Sequence, residues 1–361
     1  MKTSIMKKKV LIGYNYILHY RKPMFNLLSE RYNVTVLHSG KSINNNNDKY
    51  QELIFPVKKI GPFFLQKGLI KEIQKNNYDY VILLFDVRWI NTIISIIKYR
   101  NKEKIILWGV WLTKNNIINK IRLWFSKKVY ANVFYTQKSR EDFINLGINK
   151  SNAYVANNTF NVVERVKSYK NEIKDLILFV GSLDSRKEND ILISSFQNII
   201  NKIPDNICLF FIGDGDQMDE LSNQVEDYNI QSRVKFLGRI EDINRLKYFY
   251  KRAIVSVSYG QSGLSVLQSL GYGVPFLTKE NSISGGEKTN IKHNLNSIFC
   301  DDSQNSLESY LTKLCLDIKL SRELGKNAFQ YYTKYCTIEN MTQGFIDAIE
   351  KTEETVIDIR K

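Results

Sequence analysis

Residues Ser258 to Pro275 read SYGQSGLSVLQSLGYGVP, and the way they are read decides the fold. An apolar run, Ala253–Ser258 (AIVSVS), leads into them with the composition of a buried strand. Gly260, Gln261, Ser262 and Gly263 then form a tight turn. Beyond it Leu264, Leu267 and Leu270 recur at helical spacing, with Val266 off phase, which predicts a helix opening near Gly263. Gly271, Gly273 and Pro275 stop that helix and lead into a second strand-like run, VPFLT. Strand, glycine turn, helix and strand is a unit that aims free backbone N–H groups and a helix N-terminus at a phosphate. A plain helix-packing turn shares the pattern, so the rest of the chain must separate the two.

Working outward, the second half repeats the alternation. Strands are predicted at Leu176–Val180, Ile207–Ile212 and Val234–Leu237, and helices at Asp190–Ile200, from Met218, and at Glu241–Tyr250. The strands end in short loops: Gly181 to Lys187, Gly213-Asp214-Gly215, and Gly238-Arg239. After Thr278 comes a polar loop holding Gly285, Gly286 and Glu287, and the tail Leu307–Lys351 reads as helix throughout. The first half has strands at Lys9–Tyr14, Asn33–His38, Tyr80–Phe85, Lys104–Trp108, Ala131–Tyr135 and Ala153–Ala156, with a shorter one at Leu53–Val57. Between them lie the loop Asn44–Asp48 and helices at Met24–Arg31, Leu65–Gln74, Trp89–Tyr99, Ile117–Lys128 and Ser139–Leu146. Short apolar strands alternating with helices imply an α/β chain of parallel sheets covered on both faces. Ligands of such sheets bind beyond the strand carboxyl ends. That rule selects His19, Arg21, Asp86, Arg88, Trp111, Thr136 and Asn158 in the first half, each of which also has a purely structural reading.

A chain of 361 residues with 43% hydrophobic content suits two full cores and is not disordered. Charge divides it: residues 1–175 carry a net +19 and residues 176–361 a net −4. This places a seam near residue 170, in SYKNEIKD, and gives the first half a pull on anions. Phospholipid headgroups, a diphosphate-linked acceptor and nucleic acid all fit that pull; nucleic acid fits least, since no helix-turn-helix, zinc-finger or aromatic RNA-binding signature is present. The helix Ile117–Lys128 (INKIRLWFSKKV) reads either as a core helix with a solvated basic edge or as one lying on an anionic membrane. No run of about 18 apolar residues spans a bilayer. The basic-then-apolar N-terminus mimics a signal peptide, but its apolar part is short and lacks a cleavage site, so it reads as a first buried strand. Cys208, Cys300, Cys315 and Cys336 form no CxxC pair and read as reduced core thiols of a cytoplasmic protein.

Four segments of the second half fall in the order and spacing of one family. VGSLDSRK, FIGDGDQMDEL, VKFLGRI and SYGQSGLSVLQSLGYGVP resemble, in turn, the conserved loops of GT-B glycosyltransferases of family 4 (glycosyltransferase group 1). YNYILHYRKPMFNLLSERYNVTVLHSG and VFYTQKSREDFINLGINKSNAYVANNT resemble more loosely the N-terminal domain of members acting on bacterial surface glycans. The resemblance implies two Rossmann-like domains facing a cleft: residues 1–170 binding the acceptor and 171–335 binding the nucleotide sugar. It also implies a last segment, 336–361, packing back as a helix on the N-terminal domain. The implied activity is retaining transfer of a sugar from a nucleotide-diphosphate sugar to a glycan or lipid-diphosphate-linked acceptor. The implied setting is synthesis of capsule, O-antigen, lipopolysaccharide or exopolysaccharide, in the cytoplasm or peripherally at the inner face of the cell membrane. Lys187 stands at the family's diphosphate lysine, with Arg186 beside it as a second cation. Gly181, Ser182, Gly213, Arg239, Ile240, Gly260, Gln261, Ser262, Gly263, Leu264 and Gln268 stand at donor-binding positions. His19, Arg21, Asp86, Trp111 and Asn158 become acceptor-side candidates. No metal or other cofactor is implied: Asp214-Gly-Asp216 spells a metal-binding DxD but matches the family's GDG turn.

The chain departs from the family in places. Ser182 replaces an arginine. The family's paired glutamates, with seven residues between them, fall on Gly260 and Gln268, so the carboxylates that hold the donor sugar and the ribose are missing; a subset of the family shares this variation. Trp108-Gly-Val-Trp111 stands where relatives often carry a histidine after Trp-Gly. These departures keep two other classes open, an inactive GT-B binding or scaffold subunit and a sugar-nucleotide epimerase.

Overall fold

The short apolar runs fold as parallel strands. The computed structural model describes residues 6–17, 19–42, 45–99 and 104–352. The start of the basic N-terminus, Leu18, Asn44 of the predicted Asn44–Asp48 loop, and the predicted C-terminal segment beyond Thr352 lie outside them. The chain divides into two units, one joining the residues up to Asn158 with those from Ile338 onward, the other being Thr159–Thr337.

The first unit runs β1 (Lys9–Gly13), α1 (Lys22–Arg31), β2 (Asn33–His38), β3 (Gln51–Ile54), β4 (Val57–Ile60), β5 (Phe63–Gln66), α2 (Leu69–Asn76), β6 (Tyr80–Leu84), α3 (Ile90–Tyr99), β7 (Lys104–Trp108), α4 (Asn116–Ser126), β8 (Ala131–Phe134), α5 (Gln137–Asn145) and β9 (Ala153–Val155). Seven strands make one parallel sheet in the order β3-β2-β1-β6-β7-β8-β9, with Val10 in register with Val34 and Tyr80. The direction of strand progression reverses between β1 and β6, the kind of point where a crevice opens beyond the sheet.

The second unit runs β10 (Leu176–Val180), α6 (Asn189–Ile199), β11 (Cys208–Ile212), α7 (Met218–Asp227), β12 (Val234–Phe236), α8 (Ile243–Arg252), β13 (Ala253–Val257), α9 (Ser265–Gly271), β14 (Phe276–Lys279), β15 (Ile298–Cys300), α10 (Gln304–Leu316) and α11 (Ile318–Tyr335). Its six parallel strands are ordered β12-β11-β10-β13-β14-β15, so its reversal lies between β10 and β13. Strands β10 and β13 are buried almost throughout, which is why they read as continuous apolar runs.

α12 (Ile338–Glu350) returns to the first unit. Gly344 allows this, since a Cβ there would lie 2.0 Å from the Val155 carbonyl oxygen. Arg31 and Tyr32 of the first unit bind the Glu350 carboxylate at 2.6 and 2.9 Å.

Several expectations need correction. The seam predicted near residue 170 falls at Asn158/Thr159. The segment that follows, up to the polar stretch SYKNEIKD, is tied to the second unit: the Tyr332 hydroxyl donates to Phe160 O, Val162 N–H donates back to that hydroxyl, and Thr159 bonds the Cys336 carbonyl. The continuous tail helix is three helices. Asp317 interrupts it by capping α11 through Leu320 N–H at 2.9 Å, and the chain breaks again at Cys336–Thr337. The strand predicted at Leu53–Val57 is divided between β3 and β4; β4 pairs antiparallel with β5, which takes the first two residues of the helix predicted at Leu65–Gln74, and that helix begins at Leu69. The short edge strand β15 was not anticipated.

Candidate active site

In the second unit, the loops after β10 and β13 flank the strand reversal. Gly260 N–H donates to the Lys187 carbonyl at 3.0 Å, tying the loops together. Lys187 ends a 3-10 turn, Ser185–Lys187, whose start is capped by the Asp184 carboxylate through Arg186 N–H. Its side chain is 8% exposed, and its ammonium lies 3.5 Å from the Gln261 carbonyl oxygen. That oxygen also accepts from Ser258 Oγ at 2.6 Å. Burial pulls the Lys187 pKa below its ordinary value; Asp184 and Glu287 oppose the shift and Arg186 adds to it.

Opposite Lys187, the turn is held open. Ser262 N–H donates to Ile283 O and Ile283 N–H to Gly260 O, while Ser262 Oγ meets Ser282 Oγ at 3.0 Å. Among the described residues the N–H groups of Gly263, Leu264 and Ser265 have no acceptor. A Cβ on Gly263 would meet only open space. The helix begins at Ser265, two residues later than predicted, and is seven residues long. Its macrodipole is correspondingly small, so the loose N–H groups are the main attraction for an anion.

Glycines line the neighbouring strand ends because backbones cross there. Gly213 has φ +145°, and a Cβ on it would lie 1.7 Å from Gly181 O. Its N–H donates to Gly238 O at 2.9 Å, and Gly181 N–H to Ile212 O at 3.0 Å. Arg239 is exposed and pairs with Glu241 at 2.8 Å, and Ile240 beside it is half-buried. Gln268 is buried, its carboxamide oxygen accepting from the Tyr250 hydroxyl at 3.3 Å. Among the described residues no three His, Cys, Asp or Glu side chains group to hold a metal, and Asp214 binds the N–H of Gly215.

Two charge arrangements escaped the sequence reading. Arg186, expected beside Lys187 as a second free cation, is bound at both ends to Asp184, at 3.0 and 2.9 Å. Asp184 also accepts from Ser182 Oγ at 2.5 Å, and these bonds hold its pKa at about 2, with that to Arg186 the strongest. The acid two residues before Arg186 was the available signal. Glu188 has left-handed backbone (φ 53°) and binds Lys279 Nζ at 2.7 and 2.6 Å. Its carboxylate stem lies where a side chain on Gly260 would begin, with Cγ and Cδ each 2.8 Å from that Cβ position.

The first-unit candidates separate into groups. Arg21 is 2% exposed and donates to Asn158 Oδ1 and Met341 Sδ, its guanidinium between the Tyr20, Trp108 and Tyr135 rings. His19 is exposed, edge-on to Tyr20. Asp86 is bound by Arg88 side chain and backbone, and lies within electrostatic reach of Arg122. Arg122 stacks on Trp111 at 4.5 Å and donates to its carbonyl at 2.9 Å. Thr136 caps α5 through Ser139 N–H at 3.1 Å, a structural role.

Two Rossmann-like α/β units, with the last described helix in the first, define the GT-B class of fold. Residues 163–331, most of the second unit, match the model of the family described as glycosyl transferases group 1. A structure of HepE from Anabaena in complex with UDP superposes with a TM-score of 0.71 at 15% identity, over 96% of this chain and 100% of that one. An uncharacterized glycosyltransferase of Haemophilus influenzae is 29% identical over 39% of this chain and 38% of its own length. A Campylobacter jejuni protein, named as an alpha-1,4-N-acetyl-D-galactosaminyltransferase acting on an undecaprenol-diphosphate-linked glycan, is 28% identical over 44% of this chain and 44% of its own. The match therefore spans less than half the length of these two relatives.

Proposed function

We propose that the protein transfers a sugar from a nucleotide-diphosphate sugar to a glycan or lipid-diphosphate-linked acceptor during bacterial surface polysaccharide synthesis. The observation that carries this is the buried Lys187 ammonium, 3.5 Å from the Gln261 carbonyl oxygen, beside the turn whose Gly263 to Ser265 N–H groups have no acceptor among the described residues, at the strand reversal. A diphosphate leaving group gains negative charge as the glycosidic bond breaks, and preplaced donors stabilise that charge. Lys187 and the N–H groups do so here, and no metal is assigned. Gln268 and the backbone around Gly213 and Arg239 face the nucleoside. Transfer retains configuration: the departing diphosphate takes the acceptor proton on the face where the new bond forms. Arg21, His19, Asp86, Trp111 and Asn158 serve the acceptor, which the Campylobacter relative's undecaprenol-linked substrate supports as lipid-borne. Such an acceptor places the enzyme at the inner face of the cell membrane.

The test is a thermal-shift panel with UDP, GDP, dTDP, ADP and CMP, on wild type and Lys187→Ala. A ligand at about 100 times its Kd stabilises by about 2.7 kcal/mol, several degrees in Tm. The UDP complex of the similar structure supports UDP as the responder. No shift with any nucleotide overturns the donor assignment. The engagement of Arg186 by Asp184 and the bare Gly260 favour a second reading, a binding subunit without turnover. Release of nucleoside diphosphate from any nucleotide sugar, dependent on acceptor, excludes it.

A further inference from the structure

Helix α4 carries apolar side chains on both its inner and outer faces. Phe125, Ser126 and Arg122 point inward and are buried. The outward face carries Ile117, Ile121 and Trp124, which are 71%, 43% and 49% exposed. Their spacing of four and then three residues makes one stripe along the helix. Lys120, Lys127 and Lys128 are exposed around that stripe, with the Lys128 ammonium 4.6 Å from the Trp124 ring centre. From Lys104 to Arg140 the chain has no Asp or Glu and eight Lys or Arg. An ordinary surface helix turns polar side chains outward and mixes charges of both signs. The helix is also already formed, because Asn115 caps it by accepting from the N–H groups of Ile117 and Ile118 at 2.9 and 3.1 Å. Docking through it thus needs no folding of the segment.

We propose that α4 seats the protein on an anionic bilayer surface, with Ile117, Ile121 and Trp124 entering the headgroup–acyl boundary and the lysines lying among the phosphates. A bilayer fits better than a protein partner. Three side chains on one 11-residue helix fall well short of the roughly 1,000 Å² of a stable protein interface. An interfacial helix needs only a shallow apolar edge and a surrounding positive field. The proposal deepens the membrane-side placement made above and rests on that reading only for the nature of the acceptor. Vesicle binding is measured without nucleotide, so the two fail separately.

The test is cosedimentation of the full chain with sucrose-loaded vesicles of phosphatidylcholine containing 30% phosphatidylglycerol, and with phosphatidylcholine alone. The wild type is expected to pellet with the anionic vesicles and not with the neutral ones. The variant Ile117→Ser/Ile121→Ser/Trp124→Ser and the variant Lys120→Gln/Lys127→Gln/Lys128→Gln are each expected to lose binding by about tenfold or more. All six residues are exposed, and unchanged melting curves show that the fold is intact. Wild type remaining in the supernatant, or the serine variant pelleting like wild type, overturns the proposal. Self-association that the serine variant abolishes, without vesicle binding, assigns the stripe to a protein contact and also overturns it.

Discussion

At the scale of the residue, the proposed chemistry turns on Lys187 and on the bare backbone of Gly260. Replacing Lys187 by Ala leaves the backbone bond from Gly260 in place, so the fold is expected to survive while turnover falls roughly 10²-fold or more, as measured by nucleotide release. The pH dependence of binding follows from the lowered pKa. An incoming diphosphate favours the charged lysine. Affinity is therefore full below the depressed pKa, falls by up to about tenfold per pH unit above it, and is accompanied there by proton uptake. Calorimetry in two buffers of different ionisation enthalpy is expected to show that uptake in wild type, and weak, pH-independent binding in Lys187→Ala. At Gly260 the constraint is steric: an added Cβ lies 2.5 Å from the Arg186 carbonyl oxygen and 2.8 Å from Glu188. Gly260→Glu, which restores the family's carboxylate, is thus expected to destabilise by about 1–3 kcal/mol rather than to activate. Glu188→Gly removes one of the clashing groups and the left-handed strain at once. A double-mutant cycle followed by urea unfolding is expected to show the pair less destabilised than the sum of the single changes.

At the scale of the element, the alternation of strands and helices was legible because each central strand is buried on both faces and so appears as an unbroken apolar run, as in LILFV and YVILL. The lysine loop and the glycine turn were legible for a related reason, since tight strand-to-helix passages at a strand end need particular residues. What was not legible lacked periodicity. In β4, VKKI is mostly exposed and gains its order from pairing with β5. In β15 only Ile298, Phe299 and Cys300 pair with the sheet. The break at Asp317 is made by a side-chain cap inside a run of good helix formers, and the tie of residues 159–162 to Tyr332 spans about 170 positions. In the site, the Asp184 partner of Arg186 stands two residues away and was open to reading, whereas Glu188 pairs with Lys279 across 91 positions, which no spacing rule encodes. Gly213 is the sharpest test of how these loops are built. Its φ of +145° and the 1.7 Å approach of Gly181 O leave no room for a methyl group. Gly213→Ala is expected to lower stability by about 3 kcal/mol or more, read from chemical unfolding, and to abolish any nucleotide-induced rise in Tm.

At the scale of the whole molecule, chain order and structural order diverge at the C-terminal side. Residues from Ile338 follow the second unit in sequence but complete the core of the first. Met341, Phe345, Ala348 and Ile349 are fully buried there, in one cluster with Val10, Ile12, Trp108 and Ala131, and Phe345 meets the Trp108 ring edge-on at 4.9 Å. Exposing three large apolar side chains costs about 1.5–3 kcal/mol each, and the total is comparable with the 5–15 kcal/mol that holds a typical domain folded. A chain ending at Thr337 is therefore expected to lose the first unit altogether while keeping the second, whose separate core contains none of these residues. Differential scanning calorimetry distinguishes the outcomes. The intact chain is expected to show two transitions, of which only one moves upward with nucleotide, and the truncated chain is expected to keep that responsive transition alone. Survival of both transitions after truncation would show that the first unit is stable without α12, and loss of both would show that the second unit depends on the first.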